Sequence, residues 1–333
     1  MSKRDLLMAE LPHGPHEPLG RTPPRRPGTV RRTTSIDQRR GELGAEQQLV
    51  VASGRDLLTR PDGTTEVVDA VALTATVDAM GTIVAIDTEP AVPELHELVG
   101  GHMSKGMRAR IDELLPAHRE GGTLLLQLLD DFPMAALISM YGSSREQPAF
   151  ALPPEAGERL TDLCAGWAAG ATMLDALART GIFPIPVGPP APDLSAPDDP
   201  LGWHELPPMA PRSVRRRRRL DLSPGEPLEL DVHFRDSHLG ADGLEDVLHE
   251  YTLTAALEPV TLVVRAAEAV ARVLPWPECP GALGSAARVV GQPVSALRSL
   301  VASDFTGTST CTHLNDVLRS LMGATALAAA LRR

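Results

Sequence analysis

Two stretches of the chain alternate apolar and polar residues with a period of two, Val67 to Val77 and Val247 to Leu257. Each follows an Asp-Gly pair, Asp62-Gly63 or Asp242-Gly243. That combination predicts a tight turn feeding a half-buried strand. Return strands are predicted at Thr82 to Asp87 and at Thr261 to Ala267, which gives two antiparallel meanders. The period then changes to that of a helix, over 104–115 and 123–141 in the first half. In the second half it does so over 281–303, with a break available at Pro293, and over 312–331. Strands followed by helices predict an α+β fold of two units, each a small antiparallel sheet followed by two helices on one face. Residues 155–180 predict an extra helix whose Leu160, Leu163, Cys164, Trp167 and Leu174 share a face, making Cys164 a core thiol.

The two halves also align. SGRDLLTRPDGTTEVVDAVALTA (53–75) and HFRDSHLGADGLEDVLHEYTLTA (233–255) superpose without a gap. Arg55-Asp56 fall on Arg235-Asp236, and Leu73-Thr74-Ala75 on Leu253-Thr254-Ala255. VRRTTSID (30–37) resembles VRRRRRLD (214–221), Arg108 matches Arg288, and Asp131 matches Asp316. An internal duplication is the reading that follows.

Between the units the pattern disappears. Residues 1–29 hold six prolines and no periodicity, and read as a disordered tail. Residues 181–213 hold ten prolines and read as a Pro-rich linker, since proline suits neither helix interiors nor central strands. The expected organisation is therefore tail 1–29, divergent first repeat 30–180, linker 181–213 and second repeat 214–333. The whole chain has 333 residues, enough for a sizeable core, and a formal charge of −11, which argues against a nucleic-acid partner. Three cysteines cannot form a disulfide framework, and no signal peptide or membrane span is visible, so a cytoplasmic protein without membrane association is expected. Composition leaves oligomeric state open.

A duplication makes one copy a control on the other. Where the second half has His249, Cys279, Cys311 and His313, the first has Asp69, Val99, Leu126 and Leu128. Cysteine and histidine gathered in one copy alone point to a site there. Cys279 stands in a Pro-flanked turn and Cys311 at a predicted helix start, positions that would favour thiolates. The metal reading takes Cys279, Cys311 and His313 as ligands of Zn or Fe, with His249 or Asp236 as the fourth. His249 would otherwise serve as acid–base, and Asp236 would orient a partner. A small-molecule metalloenzyme, a non-enzymatic metal or iron–sulfur accessory that passes its metal to a receiving protein, and a metal-free thiol or histidine enzyme all remain open. Four other features read as structural. Arg235-Asp236 and Arg55-Asp56 suggest an ion pair or turn cap, and Asp131 and Asp316 a helix surface or its capping network. His233 and His238 suggest an exposed strand face, and Arg215 to Arg219 a solvated strand edge.

The motifs HFRDSH, HEY, PECP and CTHLND resemble a bacterial family called domain of unknown function 2889, most specifically over 233–321. The resemblance implies a shared fold and a shared site at Cys279, Cys311 and His313, without naming an activity. A fainter similarity links Cys279 ahead of Ala-Leu-Gly-Ser-Ala, and Cys311 opening a last helix, to U-type scaffolds for iron–sulfur cluster assembly. Asp246 would then stand where those scaffolds carry an acid, although their first-strand cysteine has no counterpart here.

Overall fold

A computed structural model describes residues 11–41, 44–146 and 160–333. Eight strands form one antiparallel sheet. They are β1 (Thr29–Gly41), β2 (Gly44–Thr59), β3 (Thr65–Asp78), β4 (Ile83–Glu89), β5 (Ser213–Ser223), β6 (Leu228–Leu239), β7 (Glu245–Leu257) and β8 (Val264–Val273). Their order is β4-β3-β2-β1-β5-β6-β7-β8, so the two expected meanders are present but fuse through β1 and β5. The two separate small sheets expected from the sequence are therefore a single α+β sheet.

Helices α1 (Met107–Leu114), α2 (Pro116–Gly121), α3 (Leu124–Glu146) and α4 (Thr172–Thr180) come from the first half. The second half contributes α5 (Leu297–Asp304), α6 (Thr312–Ser320) and α7 (Ala324–Leu331). Helix α3 lies across β1, β2 and β5. One apolar core, with Ile36, Leu73, Ile111 and Phe132, sits beneath the first-half helices; another, with Phe234, Tyr251, Leu297 and Leu318, sits beneath the second.

The helical expectations need three corrections. Residues 279–289 are wound as 3-10 turns and not as α-helix; the break allowed at Pro293 is present, and α5 begins after it. The last segment breaks at Leu321–Gly323, another 3-10 turn, between α6 and α7. Residues 155–159 lie outside the described residues; from 161 to 180 the described chain is not one helix, but a short 3-10 turn at Ala165–Trp167 followed by an α-helix at Thr172–Thr180. Gly170 takes a positive φ just before α4 and ends any continuous helix there.

The central strands explain the arginine run. Arg215, Arg216, Arg218 and Arg219 are buried at the middle of the sheet, not at a solvated edge. Strand register does much of this, because it sets four of the central arginines opposite aspartates across the ladder. Arg31 pairs with Asp221 and Arg215 with Asp37 across β1–β5. Arg32 holds Asp56 across β1–β2, and Arg216 holds Asp236 across β5–β6. Asp131 and Asp316, expected on helix surfaces, are buried against Arg216 from the helical layer.

The opposite face of the sheet is closed by the proline-rich segments. Residues 11–28, expected within a disordered tail, lie against it: the Leu19 amide donates to Glu250, and Arg25 pairs with Asp199. The 181–213 stretch covers the rest. Its main-chain carbonyls accept hydrogen bonds from guanidinium groups, buried Arg235 to Pro192, buried Arg215 to Pro207, and half-buried Arg55 to Leu201 and Trp203. Arg31 reaches Pro23 and Gly202 in the same way. A proline-rich chain offers carbonyls with few competing N–H donors, which suits a face rich in arginine. Approach is close: a Cβ at Gly188 would fall inside the Val247 carbonyl. His233 and His238, expected near an exposed face, are buried, with His233 on this face beside Glu250.

His204 belongs to this layer, its Nδ1 2.9 Å from Thr33 Oγ1 and its Nε2 3.1 Å from Ser35 Oγ. Burial first, then Arg55, Arg215 and Arg217, lower its pKa to about 3. The unfolded chain takes up a proton near pH 6.5, roughly the free imidazole value, while the folded chain resists. His204 thus contributes stability that is present above about pH 6.5 and lost as pH falls toward 3. Urea unfolding should show that decline, and His204→Gln should flatten it; an unchanged slope would count against this account.

Candidate metal centre

Asp236, His249 and His313 meet on the helical face of the second half. Asp236 and His249 are direct cross-strand neighbours on β6 and β7. Immediately beyond them the register shifts, so that Leu248 has no opposite residue and Ser237 faces Val247. Such a bulge bends the strand and re-aims side chains near it. His313 arrives from above, in the first turn of α6, one residue into a helix whose N-cap is Cys311.

The three donor atoms lie within 4.8 Å of one another. Asp236 Oδ2 is 3.5 Å from His249 Nδ1 and 3.9 Å from His313 Nε2. The two imidazoles stack, with ring centroids 3.5 Å apart and an 18° interplanar angle. Both distances are too long for ordinary hydrogen bonds, and neither nitrogen has a hydrogen-bond partner among the described residues. Burying such nitrogens unpaired is costly unless something else satisfies them. Around a tetrahedral ion with ligand bonds of about 2.1 Å, donor atoms sit roughly 3.4 Å apart. The two separations from Asp236 Oδ2, 3.5 and 3.9 Å, are close to that.

Arg216 fixes the carboxylate from behind. Its Nε donates to Asp236 Oδ1 at 2.8 Å and its Nη2 to Oδ2 at 3.0 Å, while Nη1 reaches Asp131 and Asp316. Its guanidinium also lies over the Phe234 ring, 4.5 Å from the centroid. Burial alone would raise the Asp236 carboxyl; the Arg216 charge, helped by His249, overcomes that and holds it well below the usual carboxylate range. Burial first, and His249 second, push the His313 imidazole well below its ordinary value. Asp236 is therefore a permanent anion beside a neutral His313.

The two site cysteines stand apart from this cluster. Cys311 Sγ accepts a hydrogen bond from the Tyr251 hydroxyl at 3.3 Å, and Cys279 packs against Gly166 and Trp276 in the apolar core. Among the described residues no cysteine joins a group of three metal-ligating atoms. Nor are the thiols activated by helix starts. Burial raises Cys279 and Cys311, and burial followed by Cys311 raises Cys164 to about 12. Desolvation outweighs any helix-terminus effect here. Cys164 is the buried thiol that the sequence suggested.

Sequence reasoning placed Arg216 on the surface and so missed the residue that orients Asp236. The signal lay in register: Arg216 faces Asp236 and Arg32 faces Asp56, both visible only once β1 and β5 are aligned with their hairpin partners. In the first half, Asp69 stands opposite Asp56 across an equivalent shift in register. Burial and then Asp56 raise the Asp69 carboxyl, and two carboxylates occupy the places that Asp236 and His249 hold in the second half.

Residues 213–327 match a family described as Protein of unknown function (DUF2889). The matched segment contains β5 to β8, α5 and α6, and all three residues of the cluster. No curated protein and no solved structure matches the chain. Among the described residues no helix is long and apolar enough to cross a membrane.

Proposed function

We propose that Asp236, His249 and His313 bind one Zn or Fe ion, and that the ion serves a small-molecule reaction. One observation carries this reading: two unpartnered imidazole nitrogens converge on one carboxylate oxygen at the separations a metal requires. Two histidines and a carboxylate are the donor set of both catalytic zinc and non-haem iron, and three protein ligands leave at least one position for water or substrate. The ion would polarise what binds there; the chain's own part is to hold the imidazoles and, through Arg216, the carboxylate. The ligand set differs from the one suggested by sequence, since His249 and Asp236 replace the two cysteines.

The same reading includes an internal duplication, supported by the sheet. The β1–β5 register pairs Thr34 with Arg218, its own counterpart at the spacing that aligns the two VRR segments, so the ladder is symmetric about that point. Register shifts follow Asp56 and Asp236 alike. One copy then keeps the Arg–Asp pair for structure, and the other adds histidines to it.

Elemental analysis of freshly purified protein should give about one Zn or Fe per chain. Cys279→Ala and Cys311→Ser should leave that stoichiometry unchanged. Metal that disappears with the cysteines would transfer the site to the thiols and end this reading. Metal that passes readily to a chelator or an apo-protein would favour an accessory role over an enzyme.

A further inference from the structure

We propose that the metal-loaded site takes a small oxyanion, a carboxylate or a phosphate, bound to the ion through its oxygens. The inference rests on the metal reading above and follows from the charges around it. Asp236 is the sole charged ligand, and its charge is already cancelled by Arg216. The neighbouring acids are cancelled too, Asp131 by Arg218 and Asp316 by Arg319. Metal-bound imidazoles are neutral. A divalent ion therefore enters a balanced network, and its two positive charges stay uncompensated by protein.

That imbalance sits in a poor solvent. Asp236, Arg216, Arg218 and Phe234 are all buried, and the side chains of His249 and His313 are only 11% and 13% exposed. Charge in such surroundings acts more strongly than in water, and an anion at the open position relieves it where a neutral ligand cannot. Limited exposure also restricts the occupant to a small one. The chemistry shared by small carboxylates and phosphate, a compact anion with oxygen donors, fits both requirements.

Co(II) provides a test, because its visible spectrum reports changes in its own ligands. The full-length protein is loaded with Co(II) and titrated with oxalate, phosphate and neutral ethylene glycol at constant ionic strength. Oxalate or phosphate should change the spectrum saturably, at least about tenfold more tightly than the glycol. The tighter of the two anions distinguishes carboxylate from phosphate chemistry. Asp316→Asn, which adds a net positive charge, should tighten anion binding severalfold, and Arg218→Gln should weaken it. Two variants of opposite sign keep the test informative if one fails to fold. Equal affinity for glycol and anions, or no saturable change, overturns the proposal while leaving the metal site standing. Absence of a Co(II) spectrum before any anion is added would instead overturn the metal reading, and this inference with it.

Discussion

Replacing His249 and His313 together by alanine is expected to leave a folded protein that retains no divalent metal. Asp236 would remain, but as a lone carboxylate committed to Arg216 on both oxygens. Loss of residues that merely support a metal ligand costs about 10–100-fold in affinity, so loss of two of three ligands should exceed the upper end of that range. Chelator competition and elemental analysis measure the effect. Stability supplies the discriminating control. In metal-free protein the stacked imidazoles leave two buried nitrogens unpartnered, which offsets what their packing contributes. Urea unfolding of the metal-free double variant should match or exceed that of metal-free wild type. A large loss would mean that the pair is a structural element.

Arg216→Met is expected to have the opposite profile, with a destabilisation of about 3–5 kcal/mol. A buried ion pair adds little net stability compared with apolar packing, yet removal of one partner leaves an uncompensated charge. Here the methionine would leave Asp236 without its bidentate partner and would weaken the shielding of Asp131 and Asp316. Arg26→Met is the internal comparison, because Arg26 is 65% exposed and 3.8 Å from Glu229. Its effect should fall within about 0.5 kcal/mol. If chemical denaturation gave equal, small effects for both, Arg216 would not be the buried charge partner of Asp236, Asp131 and Asp316.

The strands and their hairpins were legible because alternation and Asp-Gly turns are local signals. Val247 to Leu257 was read almost to its observed ends, Glu245–Leu257. The contrast between His249 and Asp69 pointed to the second half, where the candidate cluster lies. Its composition was not legible. Asp236, His249 and His313 come from two strands and a helix, and only the bulge beyond His249 and the placement of α6 make them a cluster. Cys279 and Cys311 resemble ligands in sequence because a core thiol and a ligand thiol are the same residue type; burial and the Tyr251 contact separate them. The proline-rich segments misled for another reason. Proline rules out helix and central strand, but says nothing about whether an extended segment packs on a sheet, and here buried arginines hold it down through its carbonyls.

The seam between β1 and β5 also sets an order of assembly. Each meander joins neighbours in sequence, whereas the seam unites strands separated by the entire helical part of the first half and the covering layer. Contacts that distant form late, because loop closure must precede their reward. As the chain leaves the ribosome, β2 to β4 can pair early while β1 keeps one edge open. Its buried residues, Arg31 and Asp37 among them, stay in water until Asp221 and Arg215 have been synthesised. Charges on an open edge discourage pairing with other chains. The ion pairs that close the finished sheet thus also protect its unfinished half.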